Sequence, residues 1–429
     1  MTTVQLAYGK ALLPVDLDSS CYDITEIVPQ DIDALSDQKA AFISAAKNPI
    51  GAMPLDQLVA EKGITNPSIA IVISDHTRPV PDSLLVPWIV EILAVDDSQV
   101  SIIIGTGTHR PSSPEEIDAL LGSETAKRFT IFNHDCHADD LVHIGNSPCG
   151  GEGYLHPAYV NADIKIVTGF IEPHFFAGFS GGPKGVCPGI AGFKTVQHFH
   201  RASIIADPGS TWSDLESNPV QKLSRDIVAL CPPDFMVNVT LNLKKEITGL
   251  FCGHYIEAHR EGSIQARAES TVTVKQRFPV VITTNSGYPL DQNFYQTVKG
   301  ISAASRIVED GGSIIVVSEC SNGLPDEGLF AETLRSELNS HDLLAEINSR
   351  EITKLDQWQV QTHLLSQTKT TIYLYSGLNE IDAAATRCIP ITDIAATLEI
   401  IYKERGCTEA PLSVAVMPRG PLTIPTLEA

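Results

Sequence analysis

The chain of 429 residues is long enough for two domains, each with its own core, and its formal net charge of −22 disfavours nucleic acid or an anionic membrane as a partner. Nine cysteines without CxxC spacing indicate reduced thiols and argue against a disulfide framework. The first ten residues lack the pattern of a secretory signal, and no run is apolar enough for a transmembrane helix. We therefore expect a cytoplasmic globular protein.

Strand and helix patterns alternate through the first part of the chain, after about fifty residues that we expect to be an irregular lead-in. Short apolar, β-branched runs predict strands, and apolar stripes after Pro or Ser predict helices. Strands are predicted at 68–74, 99–104, 129–132, 163–168 and 235–241, and helices at 81–93, from 113 and at 255–268. This order is typical of a parallel sheet covered by helices.

The alternation restarts after residue 277. Strands are predicted at 280–284, 313–318, 371–375 and 414–416, and helices around 294–304, 329–338 and 391–402. The sequence therefore predicts two α/β domains with largely parallel sheets, an N-terminal domain at 1–272 and a C-terminal domain at 273–429.

Polar residues follow four of the predicted strands, at 75–79, 105–111, 168–174 and 285–293. In open parallel sheets ligands bind beyond the carboxyl ends of the strands. These clusters contain titratable side chains, His109 and His174 among them, in addition to the Gly, Ser and Thr found in most loops. The pattern indicates one active site, which we expect in the cleft between the two domains.

A glycine-rich loop runs from His174 to Gly192 and contains six glycines and one lysine, Lys184. Glycine is entropically costly in an ordered chain, so this density indicates backbone that approaches a ligand closely. Walker A is absent because Pro183 and Gly185 flank the lysine, and the dinucleotide fingerprint fails at 105–110. We interpret the loop as the floor of a less common cofactor site, with Lys184 and His200 as its reactive groups.

The chain resembles the nickel-dependent lactate racemase family through several motifs that occur together in one order. They are 74–79 (SDHTRP), 107–111 (GTHRP), the loop 174–189, 288–293 (YPLDQN) with Gln296 and Lys299, and Trp358. Each motif alone is weak, whereas their combination is specific. The resemblance extends from about residue 45 to the end of the second predicted domain.

The resemblance implies a nickel-pincer nucleotide, a pyridinium mononucleotide that carries nickel through two sulfurs and a ring carbon. Lys184 matches the lysine that binds it covalently, and His200 matches the histidine that completes square-planar nickel. His109 and His174 match the two acid/base histidines. The other matched residues are assigned to cofactor binding: Asp75, Arg78, Gly181, Gly182, Gln296, Lys299 and Trp358.

The implied activity is racemisation or epimerisation of a 2-hydroxy acid, by reversible proton-coupled hydride transfer to the cofactor through a 2-keto acid intermediate. The hydroxyl oxygen lies on different sides in the two enantiomers, so two bases are needed, and imidazole suits both. Lactate is the default substrate. The implied partners are this small acid and the accessory proteins that build the cofactor. Pro183 and Gly185 replace the Arg and Ser of the lactate enzyme, which leaves the identity of the acid open.

Two other functions stay open at this point. One is a conventional metal-dependent lyase or hydrolase with His134, His137 or His200 on zinc, although the HExxH motif and paired CxxC motifs are absent. The other is a non-catalytic metabolite-binding protein on the same scaffold.

Overall fold

The computed structural model describes residues 1–326, 328–406 and 411–428. The chain divides into two compact units. The central unit comprises Asp31–His200 and Asp207–Glu269, and the terminal unit comprises Met1–Gln30, Arg201–Ala206 and the chain from Ser270 onward. Both units are α/β with largely parallel sheets, which confirms the predicted fold class. The location of the active site between two domains stays a prediction.

Three strands occupy the first part of the chain, where an irregular lead-in was expected. They are β1 (Thr2–Tyr8), β2 (Ala11–Leu17) and β3 (Tyr22–Glu26). β1 and β2 form an antiparallel hairpin whose alternate side chains, such as Val4 and Leu6, are buried. The expectation of an irregular segment was therefore wrong, since this alternation places one face of the hairpin in a core.

The central unit, all of whose residues are described, continues the chain with helices and strands in alternation. In order they are α1 (Gln38–Lys47), α2 (Leu58–Lys62), β4 (Ile69–Ser74), α3 (Asp82–Leu93), β5 (Val100–Gly105), α4 (Pro114–Leu121), α5 (Ser123–Ala126), β6 (Thr130–Asn133), β7 (Val142–Asn146), β8 (Glu152–Leu155), α6 (Pro157–Val160), β9 (Ile164–Phe170), β10 (Pro173–His174), β11 (Gly178–Phe179) and α7 (Phe193–Phe199). After α8 (Ala202–Ile205), which belongs to the terminal unit, follow α9 (Pro219–Val228), β12 (Phe235–Leu241), β13 (Ile247–Gly253) and α10 (Glu257–Ser270).

Six strands of the central unit form one sheet in the order β13-β12-β9-β4-β5-β6, in which β13 alone is antiparallel. β4 lies in the middle, paired with β5 on one side and β9 on the other. Its apolar residues are buried, as expected for a strand covered by helices on both faces. The strand order reverses between β4 and β9, and such a switch point is where open α/β sheets bind ligands.

The terminal unit resumes after α10. Its remaining elements are β14 (Thr271–Val274), β15 (Phe278–Thr284), α11 (Phe294–Ala304), β16 (Val308–Val317), α12 (Phe330–Leu334), α13 (Ser340–Ser349), α14 (Gln357–Gln367), β17 (Thr371–Tyr375), α15 (Glu380–Ala385), β18 (Ile389–Ile391), α16 (Ile394–Glu404), β19 (Leu412–Met417) and β20 (Ile424–Leu427).

Among the described residues of the terminal unit, six strands form a parallel sheet in the order β18-β17-β16-β15-β19-β3. β3 pairs with β19 from Tyr22↔Leu412 to Glu26↔Val416. Val4 and Leu6 share a core cluster with Val280 of β15. The first thirty residues thus pack in this unit, whereas the predicted boundary at 272/273 grouped them with the N-terminal domain. The reason is that the pairing partner of β3 lies far away in the sequence.

Among the described residues, no helix is both long enough and apolar enough to cross a bilayer.

Candidate active site

The loops after β4 and β5 bring Asp75 and His109 together. The Nδ1 atom of His109 lies 2.7 Å from Asp75 Oδ2, and Asp75 Oδ1 accepts the Thr77 hydroxyl at 2.6 Å. Asp75 is buried, whereas 38% of the His109 side chain is exposed. Because an ionised carboxylate can only accept, Nδ1 of His109 carries a proton, and whenever the ring is neutral Nε2 is its acceptor.

The charge of Asp75 is stabilised by its neighbours. Burial alone would raise the pKa of this carboxyl, but the hydrogen bond and charge of His109, the charge of Arg78 and the Thr77 hydroxyl outweigh it. The pKa of Asp75 therefore lies well below its ordinary value. Arg78 is held beside the pair through Nη1, which donates to Thr77 Oγ1 at 3.0 Å. A base oriented by a carboxylate is the arrangement that proton transfer requires.

His174 is buried at the end of β10, which pairs antiparallel with β11. Its Nδ1 accepts the backbone N–H of Ala177 at 3.2 Å. The neutral ring therefore carries its proton on Nε2. His109 and His174 are thus held in opposite tautomers, one presenting an acceptor at Nε2 and the other a donor.

The ring of Phe176 lies among three predicted site residues. Its centroid is 4.6 Å from the ring of His174 and 5.5 Å from the ring of His200. The Nζ atom of Lys184 lies 5.9 Å from the same centroid. The structure therefore gathers these three residues around one aromatic ring. Phe176 belongs to the quoted loop motif, but its role was not predicted.

His200 is a buried imidazole at the end of α7. Its Nδ1 lies 3.0 Å from the carbonyl oxygen of Val196, which can only accept, so Nδ1 carries the proton and Nε2 keeps its lone pair. Burial lowers the pKa of His200 to about 3. The hydrogen bond to Val196 raises this pKa, and the charge of Lys184 lowers it slightly. A neutral histidine that donates its one N–H to a carbonyl and keeps its other nitrogen unprotonated has the state that metal ligands adopt.

Lys184 sits in a tight 3₁₀ turn, Gly182–Gly185. Gly182 has a φ of +55°, and a Cβ there would lie 2.5 Å from Cγ of His259. Gly181 has a φ of +73° and meets Asn238 in the same way. These positions require glycine because the turn packs directly against two buried side chains. The assignment of both glycines to cofactor binding stays a prediction.

Five buried polar side chains outside the loop hold its backbone, and none of them was predicted. Four of them donate to carbonyl oxygens of the loop: Asn218 Nδ2 to Phe176 at 2.9 Å, Gln221 Nε2 to Ala177 at 2.7 Å and to Phe179 at 2.8 Å, Ser224 Oγ to Cys187 at 2.6 Å, and His259 Nε2 to Ser180 at 2.8 Å. The fifth, Asn238, accepts the backbone N–H of Gly182 through Oδ1 at 2.7 Å. The available signal was the three-residue spacing of Asn218, Gln221 and Ser224, which places them on one helix face.

The His109 loop is tied to the lysine turn through backbone. Gly107 N–H donates to Gly189 O at 2.9 Å, and Gly189 N–H donates to Lys184 O at 3.1 Å. The carboxyl ends of β4, β5 and β9 therefore carry the predicted residues of the central unit to one edge of its sheet.

The three predicted residues of the terminal unit lie on α11 and α14. The N-cap of α11, Asn293, accepts the N–H of Gln296 at 3.0 Å. Trp358 is buried on α14, and its Nε1 donates to the hydroxyl of Tyr295 at 3.2 Å. Tyr295 and Lys299 are four residues apart on one face of α11. The proposed roles of Gln296, Lys299 and Trp358 stay predictions.

The histidines of the alternative zinc site have other contacts. His134 is buried, and its Nε2 lies 3.0 Å from the Ala191 carbonyl oxygen, to which it donates. The ring of His137 packs on Phe193 at 4.7 Å. Over the described ranges, no group of three or more His, Cys, Asp or Glu side chains is placed to bind a metal ion.

Two family models match this chain. The one described as the lactate racemase N-terminal domain matches residues 8–213, and the one described as the lactate racemase C-terminal domain matches residues 273–421. The chain belongs to the lactate racemase family. The predicted family and the predicted isomerase class are thereby confirmed.

Relatives from two organisms support the membership in the lactate racemase family. The lactate racemase of Thermoanaerobacterium thermosaccharolyticum is 34% identical over 370 residues, covering 84% of this chain and 85% of that protein. That of Lactiplantibacillus plantarum is 34% identical over 368 residues with the same coverage.

Solved structures share the fold of this family member. The lactate racemase apoprotein from T. thermosaccharolyticum has a TM-score of 0.89 at 30% identity, covering 99% of this chain and 100% of that one. A protein from Thermotoga maritima has a TM-score of 0.67 at 18% identity, covering 87% and 96%, and shows the fold alone.

Proposed function

We propose that this protein racemises or epimerises a 2-hydroxy acid, with lactate as the first candidate, using a nickel-pincer nucleotide bound through Lys184. Curated relatives that are 34% identical are lactate racemases. The observation that carries the proposal is the state of His200, a buried neutral imidazole with its Nε2 lone pair kept, near the lysine of the glycine-rich loop.

The residues fit the cofactor in two respects. His200 offers one nitrogen ligand in the correct tautomer, and nickel accepts imidazole readily. Lys184 offers an amine for a covalent bond, on a turn whose glycines pack against buried side chains. When bound, the cofactor supplies the chemistry of accepting a hydride from the substrate carbon and returning it.

His109 is suited to remove the hydroxyl proton of one enantiomer. Its Nε2 is the free acceptor because Nδ1–H is committed to Asp75. The imidazolium that forms is stabilised by the adjacent carboxylate, which the low pKa of Asp75 keeps ionised. The reverse step returns the proton from Nε2 to the hydroxyl oxygen.

His174 serves the other position of the oxygen. Its neutral ring presents Nε2–H, which can hydrogen-bond to and polarise the carbonyl of a 2-keto acid. To give a proton to the product oxygen, the ring must first be an imidazolium with a second proton on Nδ1. The bond from Ala177 N–H to Nδ1 must therefore open during turnover.

The substrate carboxylate needs a cation, and Arg78 lies beside the Asp75–His109 pair. Nη1 of this arginine is fixed by Thr77, so the guanidinium is held in place near the base. Arginine binds carboxylates through two parallel N–H groups. We propose that Arg78 holds the substrate while His109 moves the proton.

The test is a chiral assay of protein produced together with the cofactor-building proteins, against a panel of 2-hydroxy acids. We expect conversion of at least one single enantiomer to a racemic mixture, about one nickel per chain and a mass increase on the peptide that contains Lys184. Lys184→Ala should abolish all three, whereas Lys222→Ala, at an exposed lysine on α9, should change none. Racemisation by protein without nickel and without the mass increase would contradict the proposal.

A further inference from the structure

The peptide bond between Phe176 and Ala177 is hydrogen-bonded on both sides. Its N–H, from Ala177, donates to Nδ1 of His174 at 3.2 Å. Its carbonyl oxygen, from Phe176, accepts Nδ2–H of Asn218 at 2.9 Å. Asn218 and His174 are thus hydrogen-bonded to opposite sides of the same peptide unit. It is 1% exposed and precedes α9.

The orientation of the Asn218 amide is fixed by its own bonds. Its Oδ1 accepts the backbone N–H groups of Val220 at 3.0 Å and Gln221 at 3.2 Å, as the N-cap of α9. A flipped amide would place its NH₂ against these two donors and its oxygen against the Phe176 carbonyl. Nδ2 is therefore the atom that donates to Phe176.

We propose that Asn218 is a positioning residue that keeps His174 in its Nε2–H form, as Asp75 keeps His109 in its Nδ1–H form. A donor on the Phe176 carbonyl polarises the peptide and strengthens its N–H as a donor to the ring. Gln221 fixes the next peptide through Ala177 O at 2.7 Å, which prevents the N–H from turning away. The catalytic consequence of this role rests on the proposed function.

The alternative is that Asn218 is only a helix cap. The two roles use different atoms, since the cap uses Oδ1 and the positioning role uses Nδ2. Asn218→Ser keeps a cap acceptor that ranks with asparagine but is too short to reach the Phe176 carbonyl. Asn218→Asp keeps the shape and the cap while replacing the donor with an acceptor.

The experiment measures directly which nitrogen of the His174 ring carries the proton. The full chain is labelled with ¹⁵N-histidine, and the His174 signals are identified by their loss in His174→Gln. We expect a ring protonated on Nε2 in the unsubstituted protein and a mixture of tautomers in Asn218→Ser. In the nickel-loaded enzyme, kcat should fall in proportion to the rings that leave the Nε2–H form, about twofold for an even mixture, because only this form polarises the carbonyl of the 2-keto acid before the Ala177 bond opens. Nickel content and the lysine adduct should not change.

The matched control is Asp37→Ala, which removes the N-cap of α1, a ten-residue helix like α9. It should leave the tautomer of the His174 ring, as seen in its ¹⁵N signals, and kcat unchanged. An unchanged ring pattern in Asn218→Ser would overturn the proposal and leave Asn218 as a cap. If that variant does not fold, Asn218→Asp is judged by the same two measurements. If the unsubstituted enzyme racemises no 2-hydroxy acid, the proposed function fails, while the ring pattern still upholds or overturns the role of Asn218.

Discussion

Asp82 provides a quantitative test of the energetics at the switch point. It is the first residue of α3, fully buried, and its Oδ1 lies 2.7 Å from the hydroxyl of Thr168 on β9. That hydroxyl also lies 3.3 Å from the Val72 carbonyl and has only one hydrogen. A carboxyl protonated on Oδ1 donates to Thr168, which can then donate to Val72, whereas Oδ2 of Asp82 is buried without a hydrogen-bond partner among the described residues.

Burial raises the pKa of Asp82 to about 7, against a smaller opposing effect of the Thr168 hydrogen bond. The folded protein therefore binds this proton more tightly than the unfolded chain, and its stability falls as pH rises from about 4 through about 7. The loss between pH 5 and pH 8 is therefore roughly 2–3 kcal/mol. Asp82→Asn has an amide that can donate to Thr168 and carries no charge, so it should escape this loss.

The assay is urea unfolding of the unsubstituted and Asp82→Asn proteins at pH 5 and pH 8. Both carry Trp358→Phe, so that fluorescence comes from Trp88 and Trp212 of the central unit. We expect Asp82→Asn to gain roughly 2–3 kcal/mol relative to its parent on going from pH 5 to pH 8. Asp118→Asn, on the exposed face of α4, is the control and should show no such gain.

A stability difference that is the same at both pH values would refute the reasoning. It would mean that Asp82 is ionised in the folded protein at both pH values, as it is in the unfolded chain. A loss of stability in Asp82→Asn that is larger at pH 8 than at pH 5 would refute it more strongly, since it would show that the ionised carboxylate is favoured in the folded protein.

Three further predictions concern the site. Asp75→Asn should lower kcat at least about a hundredfold without loss of nickel, because the amide no longer selects the Nδ1–H tautomer of its histidine partner; a near-normal rate of racemisation would contradict this. His200→Ala should lose nickel but keep the lysine adduct, as measured by metal analysis and mass spectrometry of one sample. Nickel at the level of the unsubstituted protein would exclude His200 as a ligand. Gly182→Ala should destabilise the protein by about 2–4 kcal/mol, because its Cβ would lie 2.5 Å from Cγ of His259 at a φ of +55°. Gly63→Ala, at a φ of +63° in open space, should cost only about 1 kcal/mol in the same thermal or urea unfolding assay.

The buried strands of both sheets could be predicted because their sequences carry a strong local signal. β4 and β12 are apolar runs of strand length, and the structure places them within a residue of the prediction. β3 could not be predicted in this way. It is short, and its partner β19 lies about 390 residues later, so no local pattern indicates the pairing.

The site shows a similar division. Lys184 could be selected because it is the one lysine of a glycine-rich loop, and His200 because it follows that loop closely in the sequence. Asn218 and Gln221 could not be selected because polar residues on a helix usually face solvent. Their burial results from the loop that packs on α9 and whose carbonyl groups need donors. Which carbonyl groups of the loop lack a backbone donor can be seen only in the folded chain.

The pairing of β3 with β19 has a consequence for biosynthesis. The central unit is an insertion within the sequence of the terminal unit, and it is complete in sequence by about residue 269. During translation the central unit can therefore fold first, since domains fold as units as they emerge. The backbone groups of β3 can pair with β19 only after β19 has left the ribosome. Until then the backbone groups of β3 that face β19 have no partner, so the terminal sheet is completed only after β19 has been synthesised.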